Sequence, residues 1–396
     1  MTTRNDAELA FPFHSQTLFE PPGEFATLRD QGGLARVRLP TGDLAWLATR
    51  YEDVREVLAS PALSRAAATA PGAPRLGPVP PETRSLAAMD APEHTRLRRL
   101  VVPAFSAGRI ERLRPRIQQL VDGLLDAVIE QGPPADLVTA LGKPLPMMVI
   151  CELLGVPACD QDYFTDLAER SLRIGPGATE DVRDARELLH GYFAELIETR
   201  RFKPAEDLVS QLVSQSGISD SELATFCSTV LTAGYRPVSN VLTGSVVALL
   251  RHPVELDRLL AEASRLRSAV DELLRYVPGP VSGGTIRVAT EDVVIGGTLV
   301  RAGEAVLPST TSANRDEDVF ADPDRLDVSR VDNPHVTFGP GIHHCLGAAL
   351  ARTELTVVLG TLLRRLPGLA FAVPASELAW TNGTMIRALT ALPVTW

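Results

Sequence analysis

Residues 338–347 read Phe338-Gly339-Pro340-Gly341-Ile342-His343-His344-Cys345-Leu346-Gly347. A glycine- and proline-rich loop delivers one cysteine to an apolar run over 346–363, whose spacing predicts a helix. Gly339, Gly341 and Gly347 lack a Cβ, so a flat ligand can come close to the backbone. A thiol at a helix N-terminus meets free N–H groups and the positive end of the helix dipole. That setting favours thiolate, the form that binds metal. A lone cysteine in an apolar region is more often a small buried hydrophobe. One thiolate, a tight loop and room for a flat partner together point to a haem with Cys345 as the axial ligand of its iron.

The chain has 396 residues, 45% of them hydrophobic and 22% charged, with a formal charge of −10. This is globular composition, with nothing that suggests nucleic acid or an anionic membrane as partner. The N-terminus carries Arg4, Asp6 and Glu8 and no long apolar segment, so neither a signal peptide nor a membrane anchor is expected. Four cysteines (Cys151, Cys159, Cys227, Cys345) include no CxxC pair, which argues against a disulfide scaffold or zinc site and fits a reducing cytoplasm.

Most of the chain reads as helix. The segments are 51–58, 92–105, 107–131, 137–154, 160–174, 180–201, 205–214, 220–251 and 269–276. The longest, 220–251, opens on Ser219 and Glu222 at capping-box spacing. Short runs at 34–39 and 44–48 flank Pro40-Thr41-Gly42-Asp43 and predict a hairpin. Residues 60–82, rich in Pro, Ala and Gly, read as an irregular loop. Residues 283–308 predict a small antiparallel sheet, and 369–396 a strand-like tail.

Phe338, Gly341, Cys345 and Gly347 give the decapeptide its resemblance to the haem-binding loop of the cytochrome P-450 family, most closely its soluble bacterial members. The resemblance implies one mainly α domain over 1–396 with a small β part. A long central helix would lie over haem b, with the Cys-ligand loop before a C-terminal helix. Phe338, Gly339 and Gly347, with Ala233 and Gly234 on the opposite side, would contact the haem. Glu272 and Arg275 sit three apart, a pair worth little on an exposed helix. Here they resemble the family's ExxR signature. The stretch Phe320-Ala321-Asp322-Pro323-Asp324-Arg325 resembles the segment that completes it, with Leu326 in place of a final Phe. A buried structural triad of Glu272, Arg275 and Arg325 is implied. His94 and Arg98, one helical turn apart, together with Arg287 and His343, would hold the haem propionates, while His344 reads as an ordinary loop histidine. Arg96, Arg99, Arg109, Arg112 and Arg114 form either a solvated basic face or a docking surface for an acidic ferredoxin.

The central helix departs from the family pattern. Relatives carry an acid and an alcohol that relay protons to dioxygen. Here Ala233-Gly234-Tyr235-Arg236-Pro237-Val238-Ser239-Asn240 places Arg236 and Pro237 at those positions, and Pro237 should kink the helix. Arg236, Pro237, Ser239 and Asn240 are the candidate catalytic residues. Protons could arrive through water, Thr232, Ser239, Asn240 or the substrate. Alternatively, the oxidant could abstract hydrogen and couple radicals. A third possibility is peroxide use, with Arg236 on a substrate carboxylate. Arg236 could also simply face a water-filled groove. The resemblance implies a cytoplasmic monomer fed by NAD(P)H through a ferredoxin reductase and ferredoxin. It would act on a small natural product by oxidative C–C or C–N coupling or cyclisation, with hydroxylation or epoxidation as the alternative. A non-enzymatic haem-thiolate sensor or recruiting partner is the reading from another class. The distal pocket is expected from 60–89, 167–174, 231–239, 281–286 and 384–386.

Overall fold

The computed structural model describes residues 8–13, 19–174, 177–279, 284–381 and 384–396. Its helices are α1 (Gly23–Gln31), α2 (Tyr51–Ala59), α3 (Glu93–Val101), α4 (Ala107–Gln131), α5 (Pro144–Leu154), α6 (Gln161–Ser171), α7 (Ala178–Phe202), α8 (Leu208–Val213), α9 (Asp220–Arg251), α10 (Pro253–Ala261), α11 (Leu266–Tyr276), the short α12 (Thr310–Ala313) and α13 (Ala348–Arg365). The mainly α class with a minor β part is therefore observed.

Prolines account for several boundaries. Residues 137–154 are a π-helical turn, Val138–Gly142, followed by α5, which starts at Pro144. Proline is tolerated there because the first N–H groups of a helix have no intrahelical partner. The 92–105 run ends as a 3-10 turn, Val102–Phe105, containing Pro103. Helix α10, absent from the sequence reading, likewise opens on Pro253.

The central helix α9 has the expected limits. Ser219 and Glu222 form the reciprocal capping box, satisfying two otherwise unpaired N–H groups. Its 32 residues span about 48 Å at 1.5 Å each. Helical backbone continues through Pro237. Because Pro237 has no N–H, the carbonyl of Ala233 loses its partner one turn away. The helix runs through the main apolar core, contributing Leu231, Leu242, Val246 and Leu249 beside residues of α4, α5, α7, α11 and α13.

The β part flanks this body. Strands β1 (Leu9–Ala10), β2 (Ala35–Arg38), β3 (Leu44–Ala48), β4 (Leu63–Ser64), β6 (Arg287–Ala289) and β9 (Ala305–Pro308) form a sheet of order β1-β2-β3-β9-β6-β4. The predicted hairpin is β2–β3, with Arg38 opposite Leu44. β7 (Val293–Ile295) pairs with β8 (Thr298–Val300). In the tail, β11 (Pro393–Thr395) lies between β10 (Ala370–Phe371) and β5 (Ala135–Asp136). Thr384 in the tail bridges to Arg173 just past α6, so two of the expected distal segments meet.

Candidate functional site

The cysteine loop is closed by its own backbone. The N–H of Cys345 donates to the Phe338 carbonyl at 2.8 Å, and that of Gly339 to the Val336 carbonyl at 2.9 Å. Gly339 and Gly341 adopt φ of 65° and 82°, values that L side chains rarely reach. A Cβ on Gly341 would lie 3.1 Å from the Leu58 carbonyl oxygen of α2, whereas one on Gly347 would meet no protein atom within 4 Å. Gly341 is thus required by α2 rather than by a ligand, and Gly347 is the glycine that leaves open space. Phe338 packs under the Arg352 guanidinium, 4.6 Å from its ring centre, and Arg352 is held by Asp271 at 2.7 Å.

Helix α13 begins at Ala348, so Cys345 precedes its N-cap, Gly347, by two residues. The expected lowering of the thiol is not observed. Cys345 keeps exposed surface, yet the protein packed around its sulfur raises the thiol above its ordinary value, against the pull of the Gly347 N–H and the Arg98 and Arg352 guanidiniums. Desolvation penalises the anion, and a bound iron would favour the thiolate.

Behind the loop, Glu272 and Arg275 of α11 have no exposed side-chain surface and make a two-pronged pair at 2.8 Å each. The third member is Arg330, not Arg325. Arg330 Nε donates to Glu272 Oε2 at 3.1 Å, and Asn333 donates to the same oxygen at 3.2 Å. The Arg325 side chain is 57% exposed and 4.0 Å from Glu255; only its carbonyl takes part, accepting from Arg275 at 3.2 Å. Asp322, at positive φ, and Pro323 turn the chain there; the Arg325 side chain stays exposed while the carbonyls of Pro323 and Arg325 accept from Arg275.

Four predicted cofactor residues converge. His94 is buried with both ring nitrogens unpartnered, as are His343 Nε2 and Arg287 Nε. The two imidazole rings lie 4.4 Å apart. Burial and neighbouring guanidiniums hold His94 below its usual range and His343 down at about 3. Arg98 donates to the His344 carbonyl at 2.6 Å. Arg65, which no local pattern marks, joins them. It is buried, donates to the carbonyls of Ala87 and Ile286, and is pushed down to about 9 by burial and by Arg287. Arg287 is itself pushed down to about 10 by burial. Asp90 is the one carboxylate among the charged groups acting on Arg65 and Arg287. Buried polar atoms rarely lack partners, and two buried guanidiniums facing one acid fit an added dianion. The donor set therefore suits the propionates of a haem ligated by Cys345.

Opposite this cluster, the candidate catalytic residues separate. On α9, Ala233 is exposed and Pro237 half-buried, one turn apart on one face. A Cβ on Gly234 would come within 2.9 Å of Ile150 on α5, so Gly234 serves helix packing rather than cofactor contact. Asn240 donates to the Pro278 carbonyl at 3.0 Å. Ser239 is buried beside Gly142. Arg236, with a side chain 3% exposed, donates to Glu169 Oε1 of α6 at 2.7 Å. It faces neither a water-filled groove nor a free anion site, because a carboxylate already neutralises it. Of the expected pocket segment 281–286, residues 281–283 lie outside the described residues.

The basic cluster is mostly engaged. Arg96 pairs with Glu222, Arg114 with Glu111, and Arg109 with Gln211. Arg99 and Arg112 are exposed. Beside the cysteine loop a cleft of about 330 Å³ is lined by Tyr51, Arg55, His335, Phe338, His344 and Arg352.

A helical body around α9, a closed cysteine loop and a buried cationic cluster define a haem-thiolate protein. The family model described as Cytochrome P450 matches residues 32–367, and the chain belongs to that family, as a P450 monooxygenase of the kind found in bacterial secondary metabolism. It is 44% identical to nocardicin C N-oxygenase of Nocardia uniformis subsp. tsuyamanensis, over 100% of both chains. It is 43% identical to mycinamicin IV hydroxylase/epoxidase of Micromonospora griseorubida, over 98% of each. The crystal structure of cytochrome P450mel 107F1 with biaryl coupling reactivity superposes with a TM-score of 0.91 at 39% identity, covering 96% of this chain and 97% of that one. Among the described residues no helix is long and apolar enough to cross a membrane.

Proposed function

We propose that this enzyme acts on a small natural product by hydrogen abstraction followed by C–C or C–N coupling or ring closure. The observation that carries this is the accessible face of α9. Pro237 stands on it in place of the family's alcohol, the half-buried Thr229 and Thr232 hydroxyls donate to backbone carbonyls one turn back, and Ser239 and Asn240 are buried elsewhere. The biaryl coupling of a related structure supports the same reading. Oxygen insertion is the second reading, favoured by the oxygenase and hydroxylase/epoxidase activities of two relatives. Turnover under ¹⁸O-labelled dioxygen decides between them: unlabelled product is expected, and label in the product removes the coupling reading.

The cofactor is haem b, which would supply dioxygen reduction when bound. Cys345 is its axial ligand; Phe338, Gly339 and Gly347 border it, with Ala233 on the other side. His94, Arg98, Arg287, His343 and Arg65 hold its propionates. Cys345→Ser should abolish the thiolate-type spectrum of the reduced carbon-monoxide complex; its survival would overturn the ligand assignment. Electrons come from NAD(P)H by way of a ferredoxin reductase and an acidic ferredoxin that docks on Arg99 and Arg112. The enzyme works as a single-domain cytoplasmic monomer.

A further inference from the structure

Reduction of dioxygen to water consumes protons from solvent whichever organic bond is made. O₂, two electrons and two protons give one water and one inserted oxygen; with two substrate hydrogens removed instead, they give two waters. A buried reaction centre therefore needs a titratable group at the boundary between solvent and cavity. The accessible face of α9 offers Ala233 and Pro237 and no such group. Among the described residues, one carboxylate is hydrogen-bonded to the 231–240 stretch, and it belongs to Glu169 on α6.

Glu169 is built for two surfaces. Its Oε1 accepts from Arg236 at 2.7 Å and from the Tyr235 hydroxyl at 2.9 Å, with Lys143 Nζ at 3.7 Å. Arg236 and Tyr235 are buried. Burial and Glu169 push the Tyr235 hydroxyl far above its ordinary range, so it remains a donor and fixes the carboxylate's orientation. No described residue donates to Oε2, and the Glu169 side chain keeps 28% of its surface exposed. One oxygen is thus anchored to the central helix, while the side chain as a whole keeps contact with solvent. Arg236 is buried where an acid on α9 would otherwise stand, and it holds an acid supplied by a different helix.

We propose that Glu169 is the distal acid of this enzyme, presented from α6, with Arg236 and Tyr235 as its positioning residues. From the carboxylate state it takes a proton from bulk water at Oε2, passes that proton to water on the cavity side and returns to the carboxylate; a second cycle delivers the second proton. No bond between heavy atoms changes. The inference rests on dioxygen use by the P450 family and holds for coupling and insertion alike.

The test compares wild type, Glu169→Gln, Arg236→Gln and the exchanged pair Glu169→Arg/Arg236→Glu, all haem-loaded and screened by the reduced carbon-monoxide spectrum. Hydrogen–deuterium exchange of residues 161–171 in the resting enzymes reads the clasp. Each single variant should exchange about tenfold faster or more, the effect of one lost charge-assisted hydrogen bond, and the exchanged pair should return to the wild-type rate. NADPH oxidation in air, driven by a plant-type ferredoxin and its reductase with dioxygen as the only probe, reads proton supply. Glu169→Gln should raise the ratio of hydrogen peroxide to water about tenfold, below the 10²–10⁴ typical of a positioned acid because water substitutes in part. The exchanged pair, with its acid returned to α9, should restore the ratio. An unchanged ratio in Glu169→Gln overturns the proposal, as does unchanged exchange in both single variants. A wild type that consumes no dioxygen with NADPH would instead refute the oxidase reading on which it rests.

Discussion

Glu272 has no exposed surface and five donors on its two oxygens: Arg275 twice, Arg330, Asn333 and the Asp327 N–H. A buried carboxylate survives only with this degree of pairing, and removing one partner leaves charge uncompensated. Arg330→Ala should therefore cost about 3 kcal/mol or more in denaturant unfolding. Arg325→Ala, altering an exposed side chain, should stay within about 0.5 kcal/mol. Equal losses would return Arg325 to the buried cluster. The pair Glu272 and Arg275 is legible because both lie within one helical turn. The second arginine is not, since Arg325 and Arg330 are both at hand and the turn at Asp322 and Pro323 selects between them. Arg65 and Glu169 carry no local signal either. Each matters through a partner far away in the chain, at Ile286 and at Arg236.

At the scale of elements, α9 is decided largely by local chemistry. Its capping box, its apolar content and its limits were readable, and so was the consequence of Pro237 for hydrogen bonding. The direction in which each of its residues faces was not, because that is set by what packs around the helix. Gly234 illustrates this. It lies in a stretch that resembles a cofactor-facing turn, yet its missing Cβ is what lets Ile150 of α5 approach. Gly234→Val should cost about 1–3 kcal/mol by overpacking, and Ile150→Ala in the same chain should recover part of that loss by making room. If the double variant is no better than the single, Gly234 serves something other than the α5–α9 contact.

Across the whole molecule, a formal charge of −10 makes any exposed basic site stand out in the long-range field. Arg99 and Arg112 are exposed on α3 and α4, whereas most of the other predicted arginines are spent on internal partners. Steering by such charges acts on association rate and is screened by salt. The double variant Arg99→Glu/Arg112→Glu should slow reduction by an acidic ferredoxin about tenfold at low ionic strength, with the difference vanishing in high salt. A defect that persists in high salt would place these arginines outside electrostatic docking.

The sequence by itself determined the helical class, the central helix and its cap, the cysteine loop and the one-turn spacing of His94 and Arg98. Each of these is written in contiguous residues or in spacings of one helical turn. Only the tertiary structure decided which arginine joins Glu272, that Gly234 serves the α5–α9 contact, and that Arg236 is neutralised by Glu169. Those outcomes depend on desolvation and on partners brought together by packing, and a linear pattern does not record either.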